Sequence, residues 1–247
     1  MGALRSHAMT DTAKPRRVRL VDLENPFIES LEGMTELLLV RHGEQHIWAN
    51  MPMGEVVDAP LSELGREQAR VVGERLATAA IDAVHCSPLS RARVTAGEIA
   101  RHHGLEPVVH EGLREIEQFQ KAPQHLGVID HYGTERFVEL MREQNRTGLD
   151  SIWPDAEDVP AFRRRVTGAI AEIAEANRGK RVVVACHAGV INHFLSETLS
   201  SSVDQVFPLH HTSITTARVD GDRRVVLSVN DFAHVHAVQT SRNDLNG

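Results

Sequence analysis

The residues best suited to chemistry lie in Val40-Arg41-His42-Gly43-Glu44. An arginine, a histidine, a glycine and a carboxylate follow one another directly after the apolar run Leu37-Leu38-Leu39-Val40. Such a run reads as a buried β-strand, and open α/β sheets bind ligands in the crevice beyond the carboxyl ends of their strands. Val182-Val183-Val184-Ala185-Cys186-His187-Ala188-Gly189 repeats the design far downstream: apolar strand, histidine, small residue, glycine. Two strand-end histidines can meet over one phosphate if their strands are neighbours.

Cleaving a phosphate monoester sets three requirements. The phosphoryl oxygens need fixed positive charge, the phosphorus needs a nucleophile, and the departing alkoxide needs a proton. Arg41 offers a planar fork that matches phosphate oxygens. His42 can attack through a neutral ring nitrogen if its other nitrogen keeps a proton, held on a nearby backbone carbonyl. Gly43 lets the backbone come close. In Ser87-Pro88-Leu89-Ser90-Arg91-Ala92, Arg91 falls in the first turn of a helix that follows a strand, so its side chain can face the same pocket. His187 is a further donor and, if protonated, stabilises charge on the equatorial oxygens. Gly189 permits a tight turn into the next helix, whose N-terminus also favours an anion. The proton for the leaving group calls for a carboxylic acid on another loop, and Glu115 in Leu113-Arg114-Glu115 is the best candidate. Gln45 and His46 are candidates for contact with the rest of the substrate. The loop before residues 213–219 brings His210 or His211 within range of the pocket mouth.

Taken singly, each residue has an ordinary reading. Arg91 could be a surface helix arginine, His187 a core histidine bonded to backbone, and Glu115 a solvated carboxylate. The joint pattern carries the functional reading. His102-His103 and His234-Val235-His236 have no Cys, Asp or Glu at ligand spacing, so they read as surface or packing residues and no metal is expected.

The elements that must position these groups follow from periodicity and punctuation. Strands are expected at about 36–41, 81–86, 107–109 and 181–186. Helices are expected from an N-cap at Ser62, through Arg91, Thr95 and Ile99, and over about 134–144, 160–177 and 189–199. Asp220-Gly221-Asp222 between β-rich runs marks a hairpin joining strands at about 213–219 and 223–229. Strands alternating with helices imply an α/β protein with a mostly parallel sheet covered on both faces. Residues 1–33 are expected to be an extension, with Met1-Gly2-Ala3-Leu4-Arg5-Ser6-His7-Ala8 read as a vector remnant. A catalytic domain would occupy 34–240 and a tail 241–247.

The chain has 247 residues and a formal net charge of −7, which argues against nucleic-acid and anionic-membrane partners. No apolar run approaches the roughly 20 residues that span a bilayer. Cys86 and Cys186 read as buried thiols of a cytoplasmic protein rather than a redox pair.

Together, Leu39-Val40-Arg41-His42-Gly43-Glu44, Leu61-Ser62-Glu63-Leu64-Gly65-Arg66-Glu67-Gln68-Ala69, Ser87 through Ala96, Leu113-Arg114-Glu115 and Cys186-His187-Ala188-Gly189-Val190-Ile191 resemble the histidine phosphatase superfamily, which includes the cofactor-dependent phosphoglycerate mutases. The resemblance covers about residues 36–232. It implies a three-layer α/β/α sandwich, phosphoglycerate mutase-like. It also implies His42 as the phosphorylated nucleophile, Arg41, Arg91 and His187 around the phosphate, Glu115 as proton donor, and no metal or cofactor. Gln45 stands where many members carry Ser or Thr. Ile116-Glu117-Gln118-Phe119-Gln120 replaces a glycine-containing stretch and makes Glu117 a second acid candidate. The mutases' Arg-Arg-Ser-Tyr insert is missing, which favours hydrolysis. The expected activity is a metal-independent phosphatase acting on a small phosphorylated metabolite or phosphopeptide. The competing readings are a phosphoglycerate mutase and a catalytically idle phospho-ligand binding module. Oligomeric state, including a homodimer, stays open.

Overall fold

Thr35–Arg41 forms strand β1, and its central residues Leu37, Leu38, Leu39 and Val40 are all buried. A strand apolar on both sides belongs in the middle of a sheet covered on both faces, and there it lies. The computed structural model describes residues 33–236 and 238. All but the last residue of the expected extension, and the whole of the expected tail, fall outside the described residues.

The sheet also contains β2 (Ala83–Cys86), β3 (Val108–Val109), β4 (Arg181–Cys186), β5 (Ile214–Asp220) and β6 (Arg223–Asp231), in the order β3-β2-β4-β1-β5-β6. β1, β2, β3 and β4 pair in parallel, whereas β5 runs antiparallel to both β1 and β6. The hairpin at Gly221 is confirmed, with its φ of 59° in the left-handed region that glycine tolerates.

Side-chain alternation sends successive residues of each strand to opposite faces. Leu37, Leu39, Val182 and Val184 pack with Phe162, Ile170 and Ile173 of α6 (Val159–Ala176) and with Val190 and Phe194 of α7 (Ala188–Thr198). Leu38, Val40, Val183 and Ala185 pack on the other side with Val72 and Leu76 of α2 (Glu63–Leu76) and Ala96 and Ile99 of α3 (Ser90–Ala100). This is the three-layer α/β/α arrangement read from the sequence.

Between β3 and α6 the chain makes a long excursion, only part of which was anticipated. It contains α4 (Val128–Tyr132) and α5 (Thr134–Thr147), which together have a small apolar core of Leu140, Trp153 and Ala156 beside Phe119 and Phe137. The loop after β1 also holds a short unanticipated helix, α1 (Met53–Val56). The excursion clasps it, because the Met53 and Gly54 amides donate to Leu126 O and Gln124 O, each at 2.9 Å. A buried polar knot ties the excursion to α7. Asp150 lies 2.9 Å from His193 Nε2 and accepts from Gln144 and Gln205, while Asp204 accepts from Arg163 and from the Asp150 amide. These donors occupy both carboxylates, as buried charge requires.

The loop after β1 is locked to α2 and α3. Ser62 caps α2, its Oγ accepting from the Gly65 amide at 3.0 Å and donating to Glu44 at 2.7 Å. Gln68 accepts from the Glu44 amide at 2.8 Å, and Thr95 from the Gly43 amide at 3.2 Å. The two glycines meet back to back. A Cβ on Gly65 would sit 1.9 Å from Glu44 O, and one on Gly43 would sit 2.2 Å from Gly65 O. Gly43 is therefore needed for its approach to another backbone segment. Gly65→Ala should lower stability by about 1–3 kcal/mol, the usual range for overpacking, measured as a lower urea midpoint at unchanged slope.

Candidate active site

β1 and β4 are hydrogen-bonded neighbours whose register sets Arg41 opposite Cys186, and the His42 amide donates to Cys186 O at 2.9 Å. His42 and His187 therefore leave the sheet side by side, with ring centroids 5.0 Å apart. α3 follows β2 and begins at Ser90, which brings Arg91 over the same point. Its Nε donates to His42 Nε2 at 3.2 Å and its Nη1 to Val57 O at 2.9 Å. A cavity of about 170 Å³ opens here, lined by Arg41, His42, Gln45, Arg91 and Glu115 among others.

Both nitrogens of His42 have partners, and one nitrogen of His187 does. His42 Nδ1 lies 2.6 Å from its own neighbour's carbonyl, Gly43 O, so Nδ1 carries the proton and Nε2 keeps its lone pair. This is the backbone acceptor expected from sequence. His187 Nε2 lies 2.7 Å from Ser87 Oγ. Ser87 Oγ also accepts from the Leu89 amide at 3.3 Å. His187 Nδ1 has no hydrogen-bond partner among the described residues.

Burial holds the pKa of both rings well below the ordinary 6.5, and Arg41 and Arg91 push in the same direction. His187 also lowers His42. Both shifts favour the uncharged ring.

Glu115 sits at the base of the cavity, against the start of α7. Its carboxylate accepts from the Ile116 amide at 3.0 Å and the Gly189 amide at 3.1 Å. Burial outweighs those bonds and raises its pKa above 4.5. Gly189 was expected to serve a turn; it instead makes room, since a Cβ there would lie 2.3 Å from Glu115 Oε1. The α7 amide expected to face an anion is thereby spent on Glu115. The loop is braced from α6, where Arg165 donates to Gly112 O and Arg114 O and pairs with Glu157 at 3.0 Å. Glu157 in turn accepts from the Glu117 amide at 3.1 Å.

His46 is not brought in. It is exposed, its ring 5.9 Å from Trp48, and it is not among the residues lining the cavity. His211, one of two alternatives on its loop, does arrive. Its ring lies 5.8 Å from that of His42, and its Nε2 lies 2.9 Å from Arg41 Nη2. Burial, aided by Arg41, pushes its pKa down to about 3, which leaves it an acceptor. Leu209 O accepts from the other Arg41 nitrogen, Nη1. His210 turns away and stacks on Phe232 at 3.8 Å. Ser87, Thr95, Gln68 and the Arg165–Glu157 pair were not singled out as supports. Serine after a strand and glutamine within a helix stripe carry no signal of their own.

A family model described as histidine phosphatase superfamily, branch 1, matches residues 37–232. The chain belongs to the histidine phosphatase superfamily. It is 32% identical over 209 residues to "Phosphoglycerate mutase-like protein 4" of Arabidopsis thaliana, covering 81% of this chain and 86% of the relative. It is 26% identical over 207 residues to "Phosphoserine phosphatase 1" of Hydrogenobacter thermophilus, covering 82% and 95%. Among solved structures, Bacillus stearothermophilus YhfR superposes with a TM-score of 0.65 at 24% identity, covering 82% of this chain and 100% of that one. That last likeness concerns the fold.

In this histidine phosphatase superfamily member the buried imidazoles couple stability to pH. Below about 6.5 the unfolded chain takes up protons that folded His42 and His187 refuse, so stability falls as pH drops toward their folded-state values. The unfolding free energy from urea titrations should decline through that window by up to ~1.4 kcal/mol per pH unit for each imidazole. The decline should be shallower in His187→Asn; an unchanged slope would contradict the neutral assignment.

Proposed function

We propose that the chain is a metal-independent phosphatase that hydrolyses phosphate monoesters through a phosphohistidine on His42. The observation that carries this reading is the setting of His42: it lines the cavity, its Nδ1 is anchored on Gly43 O, and its Nε2 accepts from Arg91 at 3.2 Å, a donor that an incoming phosphoryl oxygen would take over. Arg41, Arg91 and a ring N–H of His187 supply the charge and donors for the three phosphoryl oxygens. His42 Nε2 attacks phosphorus as the ester P–O bond breaks. Glu115, whose pKa burial raises above 4.5, gives its proton to the departing alkoxide. Glu115 is then a carboxylate and takes a proton from the water that attacks the phosphohistidine, releasing inorganic phosphate and restoring both groups. Glu115 suits the acid role better than Glu117 because Glu117 is paired with Arg114 at 3.0 Å.

The substrate implied is a small phosphorylated metabolite or a phosphopeptide. Two buried free thiols, Cys86 and Cys186, agree with a reducing cytoplasm. No helix among the described residues is long and apolar enough to cross a membrane.

His42→Ala should reduce kcat/KM on a phosphate monoester by at least about 10³-fold, and EDTA should leave the wild-type rate unchanged. Rapid acid-free quench after mixing with ³²P-labelled ester should recover acid-labile label on the wild type alone. Loss of activity on chelation, or turnover by His42→Ala near the wild-type rate, would refute the mechanism. Labelling would also exclude an idle binding module. The pH profile should fall on the acid side as His42 protonates, and on the alkaline side as Glu115 ionises above its ordinary 4.5. Glu115→Gln should lower kcat about 10²–10⁴-fold and abolish the alkaline limb.

A further inference from the structure

The cavity extends past the reacting groups to where the alcohol half of a substrate would lie. Met53, Val56, Val57, Leu89, Ile116 and Phe119 give that region an apolar wall. Arg41 and Arg91 belong to the phosphoryl position. Among the described lining residues the remaining cation is Arg114. Its Nε donates to Glu117 Oε1 at 3.0 Å, and Glu117 lines the same cavity. The pair is held in place by its backbone, since Arg114 O accepts from Arg165 while the Glu117 amide and carbonyl both bond to Glu157. The charges of Arg114 and Glu117 cancel. The alcohol region therefore has an apolar wall and no uncancelled cation.

An alcohol bearing a carboxylate would find no unpaired cation there. It would have to share Arg114 with Glu117 and lie beside a like charge, which costs binding in a partly desolvated site. An uncharged alcohol meets no such opposition and covers the apolar wall.

Resting on the phosphatase reading above, we propose that this site selects phosphate monoesters of uncharged, partly apolar alcohols. Glu117 is the specificity residue, neutralising Arg114 and turning carboxylate-bearing alcohols away.

The test compares 2-phenylethyl phosphate, an alkyl ester of an uncharged alcohol, with phosphoserine and 3-phosphoglycerate, using the full chain at one pH and ionic strength. Wild type should show kcat/KM at least tenfold higher for 2-phenylethyl phosphate. Glu117→Gln leaves Arg114 uncancelled and should narrow that ratio about tenfold, mainly through a lower KM for the carboxylate esters. Arg114→Gln leaves Glu117 uncancelled and should widen it. The opposite signs separate a charge effect from general damage to the loop. A wild-type preference for either carboxylate ester, or a ratio that moves less than twofold in both variants, would overturn the proposal while leaving the phosphatase reading intact. Turnover of none of the three esters would overturn both.

Discussion

Everything at the site depends on the parallel pairing of β1 with β4. Once Arg41 is set opposite Cys186, the next residue on each strand is a histidine, and the His42 amide is tied to Cys186 O. The pleat and the bond ladder then fix both imidazoles at the same height on the sheet edge. A one-residue slip would turn every side chain of β1 to the opposite face and bury Leu38 where Leu37 belongs. The two-sided apolar core opposes that slip, so the precision of the site is inherited from packing. β2 completes the arrangement by entering beside β4, which delivers Ser87 to His187 and the start of α3 to His42.

Gathering two guanidiniums around two imidazoles in a buried place is electrostatically costly. The protein limits that cost by keeping both rings uncharged and by giving the arginines acceptors. Arg41 has Leu209 O and His211, and Arg91 has Val57 O and His42 Nε2. Those acceptors are mostly neutral carbonyls and rings, so the net field stays positive. A dianion entering the cavity would meet that field before any group had to move, which is preorganisation in its usual sense. Burial, and then that field, lower the pKa of both histidines, while burial raises that of Glu115. One environment thus shifts the two kinds of group in opposite directions.

Much of this was legible in the chain. The strands before His42 and His187 could be read because buried parallel strands are continuous apolar runs. The helix at Glu63–Leu76 could be read because Ser62 is a strong N-cap ahead of a regular stripe. The excursion between β3 and α6 was harder, since its small core is aromatic and assembled from short helices with little periodicity. The roles of Gly43 and Gly189 were legible as constraints but not as to what they constrain. A sequence shows that a side chain is absent, while only coordinates show which neighbour fills the space. His46 was misjudged because adjacency along a loop says little about direction. His211 could be narrowed to a pair but not chosen, because a one-residue difference in an irregular loop reverses which ring faces inward.

The bracket on Arg41 comes from far along the polypeptide. Its guanidinium is gripped by Leu209 and His211, while the loop that carries them is secured by Asn230 through the His210 amide and Pro208 O. That grip joins residues 168 positions apart, so Arg41 is steadied only once the hairpin of β5 and β6 has docked along β1.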